Sequence, residues 1–152
     1  MRFLIPLLLI LAFPAFANDL TPRDGWAVHP TDKSYDQLIK DTKAAVKANK
    51  MGVVTQAGPT GAAKKRGITI PGNRVIGVFN NDFAVKILNL STAAMIEAPI
   101  RLYITENTDG SATLSYKLPS SVFAPYDGGG ELTDLATQLD QIFANIADQA
   151  TR

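Results

Sequence analysis

Few residues in this chain are of types that do chemistry. The best placed are Asn80, Asn81 and Asp82, in the stretch RVIGVFNNDFAVKIL at residues 74–88. A run that reads as a buried strand breaks there, and an amphipathic pattern begins. A helix N-terminus presents unpartnered backbone N–H groups and the positive end of the helix dipole, so Asn80 and Asn81 could hold a polar ligand. The competing reading is structural: Asn81 or Asp82 is the N-cap, its side-chain oxygen accepting from an N–H of the first turn. The charge of Asp82 disfavours an anion here and favours a neutral or amine ligand.

Arg101 and Tyr103 share one face of a strand whose other face carries Ile100, Leu102 and Ile104. With the apolar face against helices, they point to solvent or to a partner subunit, and both are residue types that carry interfaces. Tyr116 keeps step with Leu114 and Leu118. That reads as half-buried core ahead of ligand platform, and Tyr116 joins Asn80 and Asn81 as the candidate ligand-binding set. His29 is the only histidine, so a His-pair metal site has no second member within the chain. It is expected on a surface or edge, at the end of a short strand stopped by Pro30.

No Gly-x-Ser-x-Gly elbow supplies a nucleophile. Lys64-Lys65-Arg66 lies in a Gly-rich region, but Gly58 and Gly61 are misplaced for a phosphate-binding loop and no Gly-Lys-Ser/Thr occurs. Glu97, Glu106 and Asp109 lie around turns, and no spacing nominates a catalytic pair. No metal and no cofactor is expected.

The elements that must position these residues follow from the ends and the patterning. MRFLIPLLLILAFPAFAND opens with Arg2, an apolar run from Phe3 to Phe16, and a small-x-small signal at Ala15-Phe16-Ala17. This reads as a cleaved secretory signal peptide over residues 1–17, with the mature chain beginning at Asn18. Export to the periplasm is expected, with no stable membrane insertion after cleavage. The leader removes Arg2, so 15 bases against 14 acids become 14 against 14. A neutral domain has no general electrostatic reason to bind nucleic acid. The chain has no cysteine, so thiolate chemistry and disulfides are out and the core alone must hold the fold.

Residues 18–24 read as a flexible N-terminus and residues 25–149 as a single domain. The clearest helix begins near Ser34, with Ser34 and Gln37 as a capping box and Asp32 or Thr31 as rival caps. Its apolar stripe is Tyr35, Leu38, Ile39, Thr42, Ala45 and Val46. MGVVTQAG and RVIGVFN read as strands, with a helical turn near Ala62–Arg66 between them. One helical segment is expected over NDFAVKILNLSTAAMI. A hairpin follows around Asn107-Thr108-Asp109-Gly110, where Asp-Gly supplies positive-φ positions. Leu132, Leu135, Leu139, Ile142, Phe143 and Ile146 make the stripe of a long final helix, entered through three flexible glycines. The fold class expected is α+β: a curved, mostly antiparallel sheet covered by helices on one face, the last helix lying across it.

The segment Gly58–Tyr126 resembles the bacterial family known as domain of unknown function 302. The likeness lies in Ala63 to Gly67, Val78 to Asn81, Ala84 to Leu88, Ala98 to Arg101, Asp109-Gly110 and Tyr116 to Pro119. Two places depart from the family's pattern. Phe79-Asn80-Asn81-Asp82 stands where the family has Phe-Gly-Asn-Pro, and Ala98-Pro99-Ile100 where it has Leu-Pro-Leu. The resemblance implies a small α+β domain comparable to the TATA-binding-protein fold, homodimeric, with no agreed activity.

The function expected is therefore an exported, non-enzymatic domain that binds a small molecule or a protein partner as a homodimer. One alternative is an enzyme or enzyme accessory with a polar pocket near Asn80 and Asn81. Another is a structural envelope-stress protein.

Overall fold

The computed structural model describes residues 20–152; the expected leader over residues 1–17 and the mature start at Asn18 lie outside the described residues. Strand β1 (Trp26–Ser34), helix α1 (Tyr35–Ala48), β2 (Gly52–Ala57), α2 (Thr60–Lys65) and β3 (Asn73–Phe79) make the first half. Helix α3 (Asn81–Leu90), a 3-10 helix (Ala93–Glu97), β4 (Ile100–Glu106), β5 (Ser111–Lys117), α4 (Pro119–Phe123) and α5 (Gly129–Thr151) complete it. The five strands form one antiparallel sheet in the order β1-β5-β4-β3-β2. The helices lie on one side of it, so the α+β class with a long C-terminal helix holds.

Alternation along the strands decides what that side receives. Register sets Ile76 opposite Leu102, and Leu102 opposite Tyr116. Ile104 likewise sits opposite Leu114. All five are buried, in one cluster with Leu38 and Val46 of α1 and Leu139, Phe143 and Ile146 of α5. Burying a side chain of this size contributes about 1.5–3 kcal/mol, so these rows and two helices supply most of the core. The sheet's other face carries Trp26, Lys117, Arg101, Tyr103 and Val75, and no helix among the described residues covers it.

Helix α1 follows its sequence in its apolar stripe and in half of the expected capping box, the Gln37 side chain donating to Asp41 instead of returning to Ser34. The Ser34 hydroxyl accepts from the Gln37 N–H, and Leu38, Thr42, Ala45 and Val46 are buried, with Tyr35 and Ile39 packed against the core. Beyond its end at Ala48 the chain turns through Lys50 in the left-handed region, φ 58°. The stripe of α5 buries Leu132, Leu135, Leu139, Phe143 and Ile146, with Ile142 partly covered.

Four elements differ from the sequence expectation. Strand β1 does not stop at Pro30 but runs on to Ser34. As an edge strand it tolerates a proline whose N faces away from its neighbour. The helix expected from Asn81 to Ile96 breaks at Ser91, whose backbone is extended, and resumes as the 3-10 turn. The hairpin needs only one positive φ, at Gly110. Its turn closes through Gly110 N–H to the Asn107 carbonyl at 3.1 Å and Asn107 N–H to the Ser111 carbonyl at 2.8 Å, a longer loop than the tight two-residue form. Finally, Gly129 and Gly130 are no joint but the first residues of α5, with Gly128 as its N-cap. A bulge between Val53 and Thr55 interrupts the β2–β3 register.

Candidate functional site

The Asn80 junction is built first of all as a cap. Asn80 itself, not Asn81 or Asp82, is the N-cap of α3. Its Oδ1 accepts from the N–H of Asp82 at 2.8 Å and of Phe83 at 3.2 Å. The other end of the amide is engaged as well, Nδ2 donating to the Lys50 carbonyl at 3.1 Å. The side chain therefore ties the start of α3 to the end of α1 with both polar atoms in use. Asn81 follows as an exposed first helical residue.

Tyr116, grouped with these two asparagines in the sequence, lies elsewhere. Its ring is on the helix side of the sheet, 2% exposed, and packs on Phe143 with centroids 5.5 Å apart. Burial, with a smaller contribution from Asp140, pushes its phenol up to about 12. His29 lies on an edge strand, as expected, but not at the strand's end and not on the open surface. It sits mid-strand on β1, opposite Leu114, with its imidazole stacked on Tyr116. Burial lowers its pKa, opposed by Asp148 on α5, and Nε2 has no hydrogen-bond partner among the described residues.

Arg101 and Tyr103 face away from the helices, as their alternation with Ile100, Leu102 and Ile104 requires. There they help line a cleft of about 440 Å³ on the open face. Trp26 from β1, Lys117 from β5, and Asn73 and Val75 from β3 complete its walls across four strands. Glu97 of the 3-10 turn and Val122 of α4 also border it. Tyr116 borders the cleft too, but with its ring turned into the core only its main chain can face that way.

The polar groups of this cleft are held by one another. The Asn73 amide donates to the Tyr103 hydroxyl at 2.5 Å, fixing the phenol across the β3–β4 pair. Asn73 is itself anchored, its N–H donating to the Thr60 hydroxyl at 3.0 Å. Glu97 accepts from the Tyr126 hydroxyl at 2.5 Å, and this bond raises the Tyr126 pKa. Arg101 reaches the other carboxylate oxygen of Glu97 at 4.0 Å. Arg23 and Lys117 lie 5.3 and 5.9 Å from the centre of the Trp26 ring, within the range of cation–π attraction. The result is a recess with aromatic and aliphatic walls and a small set of fixed polar groups, the usual composition of a small-molecule site.

A second groove of about 380 Å³ runs between α3 and α5, bordered by Lys86, Asn89, Glu131 and Asp134. Among the described residues no group of three or more His, Cys, Asp or Glu side chains is placed to share a metal ion.

Sequence reasoning reached Arg101 and Tyr103 through alternation on one strand. It missed Trp26, Lys117 and Asn73, which join them only through the pairing of β1, β5 and β3 with β4. The signal available was the presence of aromatic and basic residues at strand ends, which is too common to single them out.

Residues 27–150 match a family model described as domain of unknown function DUF302. The fold is similar to the crystal structure of an uncharacterized conserved DUF302 protein from Bacillus stearothermophilus. That match has a TM-score of 0.73 at 16% identity and covers 86% of this chain and 100% of the other. No curated protein matches this chain.

Proposed function

The chain belongs to the family of the domain of unknown function DUF302, and from that premise we propose that it is an exported, periplasmic, non-enzymatic domain that binds a small molecule as a homodimer. The observation that carries this reading is the cleft of about 440 Å³ on the helix-free face of the sheet, where Trp26, Asn73, Arg101, Tyr103 and Lys117 converge. Its volume lies within the range of about 300–1,000 Å³ typical of small-molecule pockets. The Asn73–Tyr103 and Tyr126–Glu97 bonds hold its polar groups in place before any ligand arrives, which lowers the entropic cost of binding.

Support for export comes from the leader sequence: Arg2, the apolar run, and Ala15-Phe16-Ala17. Support for the dimer comes from the same open face, where exposed Arg101 and half-buried Tyr103 stand on a sheet surface without covering helices. Two copies meeting through this face would enclose the cleft between them.

A thermal-shift screen of the mature chain against a metabolite library tests the binding reading, because a ligand of the folded state raises the melting temperature by mass action. Hits are expected, and Tyr103→Ala and Arg101→Ala are expected to abolish their shifts. Shifts that survive both substitutions would place the site elsewhere. Light scattering at rising protein concentration tests the dimer, and a monomer throughout would remove it.

A further inference from the structure

The charges around the cleft point beyond binding in general to a class of ligand. Of the residues that line it, Arg101 and Lys117 stand against the single carboxylate of Glu97. Glu97 is already engaged by the Tyr126 hydroxyl, and Arg101 meets it only at the outer limit of an ion pair, 4.0 Å, with its side chain 65% exposed. Most of the guanidinium's donors are therefore open to a ligand.

The sheet register adds a second fact. Leu102 pairs with Tyr116, so one step along the two antiparallel strands sets Arg101 opposite Lys117, while Trp26 pairs with Lys117 directly. Like charges opposite each other across two strands repel. Among the described residues Lys117 has no carboxylate within ion-pair distance, only the face of Trp26. An anion between the two cations would relieve the repulsion. The other walls, Trp26, Val75 and Tyr103, are apolar or aromatic and ask for a flat body. Since the Lys117 ammonium lies 5.9 Å from the Trp26 ring centre, a group packed beside that indole is also beside a positive charge.

We propose that the cleft takes a small organic anion with a flat unsaturated body, its ring against Trp26 and Tyr103 and its carboxylate between Arg101 and Lys117. This rests on the small-molecule reading above. A bare inorganic anion would leave the aromatic walls uncovered, and an amine would meet the excess positive charge.

Trp26 is the only tryptophan of the chain, so its emission reports on the cleft directly. The test titrates the mature protein with 3-phenylpropionate, its amide, 3-phenylpropylamine, acetate and inorganic phosphate, following fluorescence and calorimetry in parallel. The expected result is saturable binding of phenylpropionate at least about tenfold tighter than its amide, the worth of one charge-assisted hydrogen bond. Arg101→Gln and Lys117→Gln, both at exposed positions, should each weaken the carboxylate by about tenfold and leave the amide unchanged. Amide or amine binding as tightly as the carboxylate would overturn the anion class while leaving the small-molecule reading standing. Acetate or phosphate binding as tightly as phenylpropionate would overturn the aromatic body. If no member binds by either measurement, the proposal fails, and the library screen then decides the broader reading by itself.

Discussion

The imidazole of His29 lies flat over the ring of Tyr116, centroids 6.0 Å apart and planes 12° from parallel, on the side of the sheet that α5 covers. The two residues come from neighbouring strands and share the helix-facing side, so burial acts on both, in opposite directions of pH.

For His29, burial favours the neutral ring and lowers its pKa from 6.5, against the pull of Asp148. The unfolded chain then binds the proton more readily than the fold. The stability that depends on a neutral His29 is complete above pH 6.5 and is lost as pH falls through the lowered value. Urea denaturation above and below that pH should show a drop in the wild type, and His29→Gln should flatten it.

For Tyr116, burial favours the protonated phenol and pushes its pKa from 10 up to about 12. The stability tied to it is complete below pH 10 and declines as pH rises towards 12. An ultraviolet titration should show a phenol ionising late, and Tyr116→Phe should remove that step and no earlier one.

Asn80→Ala removes both hydrogen bonds that cap α3 and the one to the end of α1. A loss of about 1–2 kcal/mol in denaturant unfolding is expected, since a side-chain cap has that worth. Asn81→Ala, at an exposed first helical position, should change stability by less than about 0.5 kcal/mol. Equal effects of the two would contradict the cap assignment.

Gly58 faces the start of β3 so closely that a Cβ there would lie 2.1 Å from the Asn73 carbonyl oxygen. Backbone must move to admit it. Gly58→Ala should cost about 1–3 kcal/mol, the range of overpacking. Because Asn73 positions Tyr103, it should also weaken whatever the cleft binds. Gly61→Ala, with nothing within 4 Å in a short helix, is the control: stability should hold or rise by up to about 1 kcal/mol.

Elements with a strong local signal were legible in the sequence. The Ser34–Gln37 cap, the stripes of α1 and α5, and the Asp109-Gly110 turn are decided by neighbours a few residues apart. The misreadings share a different cause. Pro30 ends a strand by local rule, but β1 lies at the edge of the sheet, and edge position is set by the order of all the strands. The cap at Asn80 rather than Asn81 or Asp82 turns on one residue's backbone, which the side-chain pattern does not fix. Helix α4 carried a usable sign, Pro119 at its first turn, in a segment too short for periodicity to show. The cleft was half legible: the face of Arg101 and Tyr103 follows from alternation. Trp26, Asn73 and Lys117 reach it through registers that no local stretch records.

Pro30 and the β2 bulge bear on how this sheet meets other chains. Each flank is a row of backbone groups that another strand could extend, and β2 has no charged side chain to discourage it. On β1, Pro30 has no N–H to offer to an incoming strand. On β2, the bulge between Val53 and Thr55 throws the edge out of step, so a straight strand cannot match it along its length. Each flank of the sheet thus carries a backbone feature that hinders the addition of another strand.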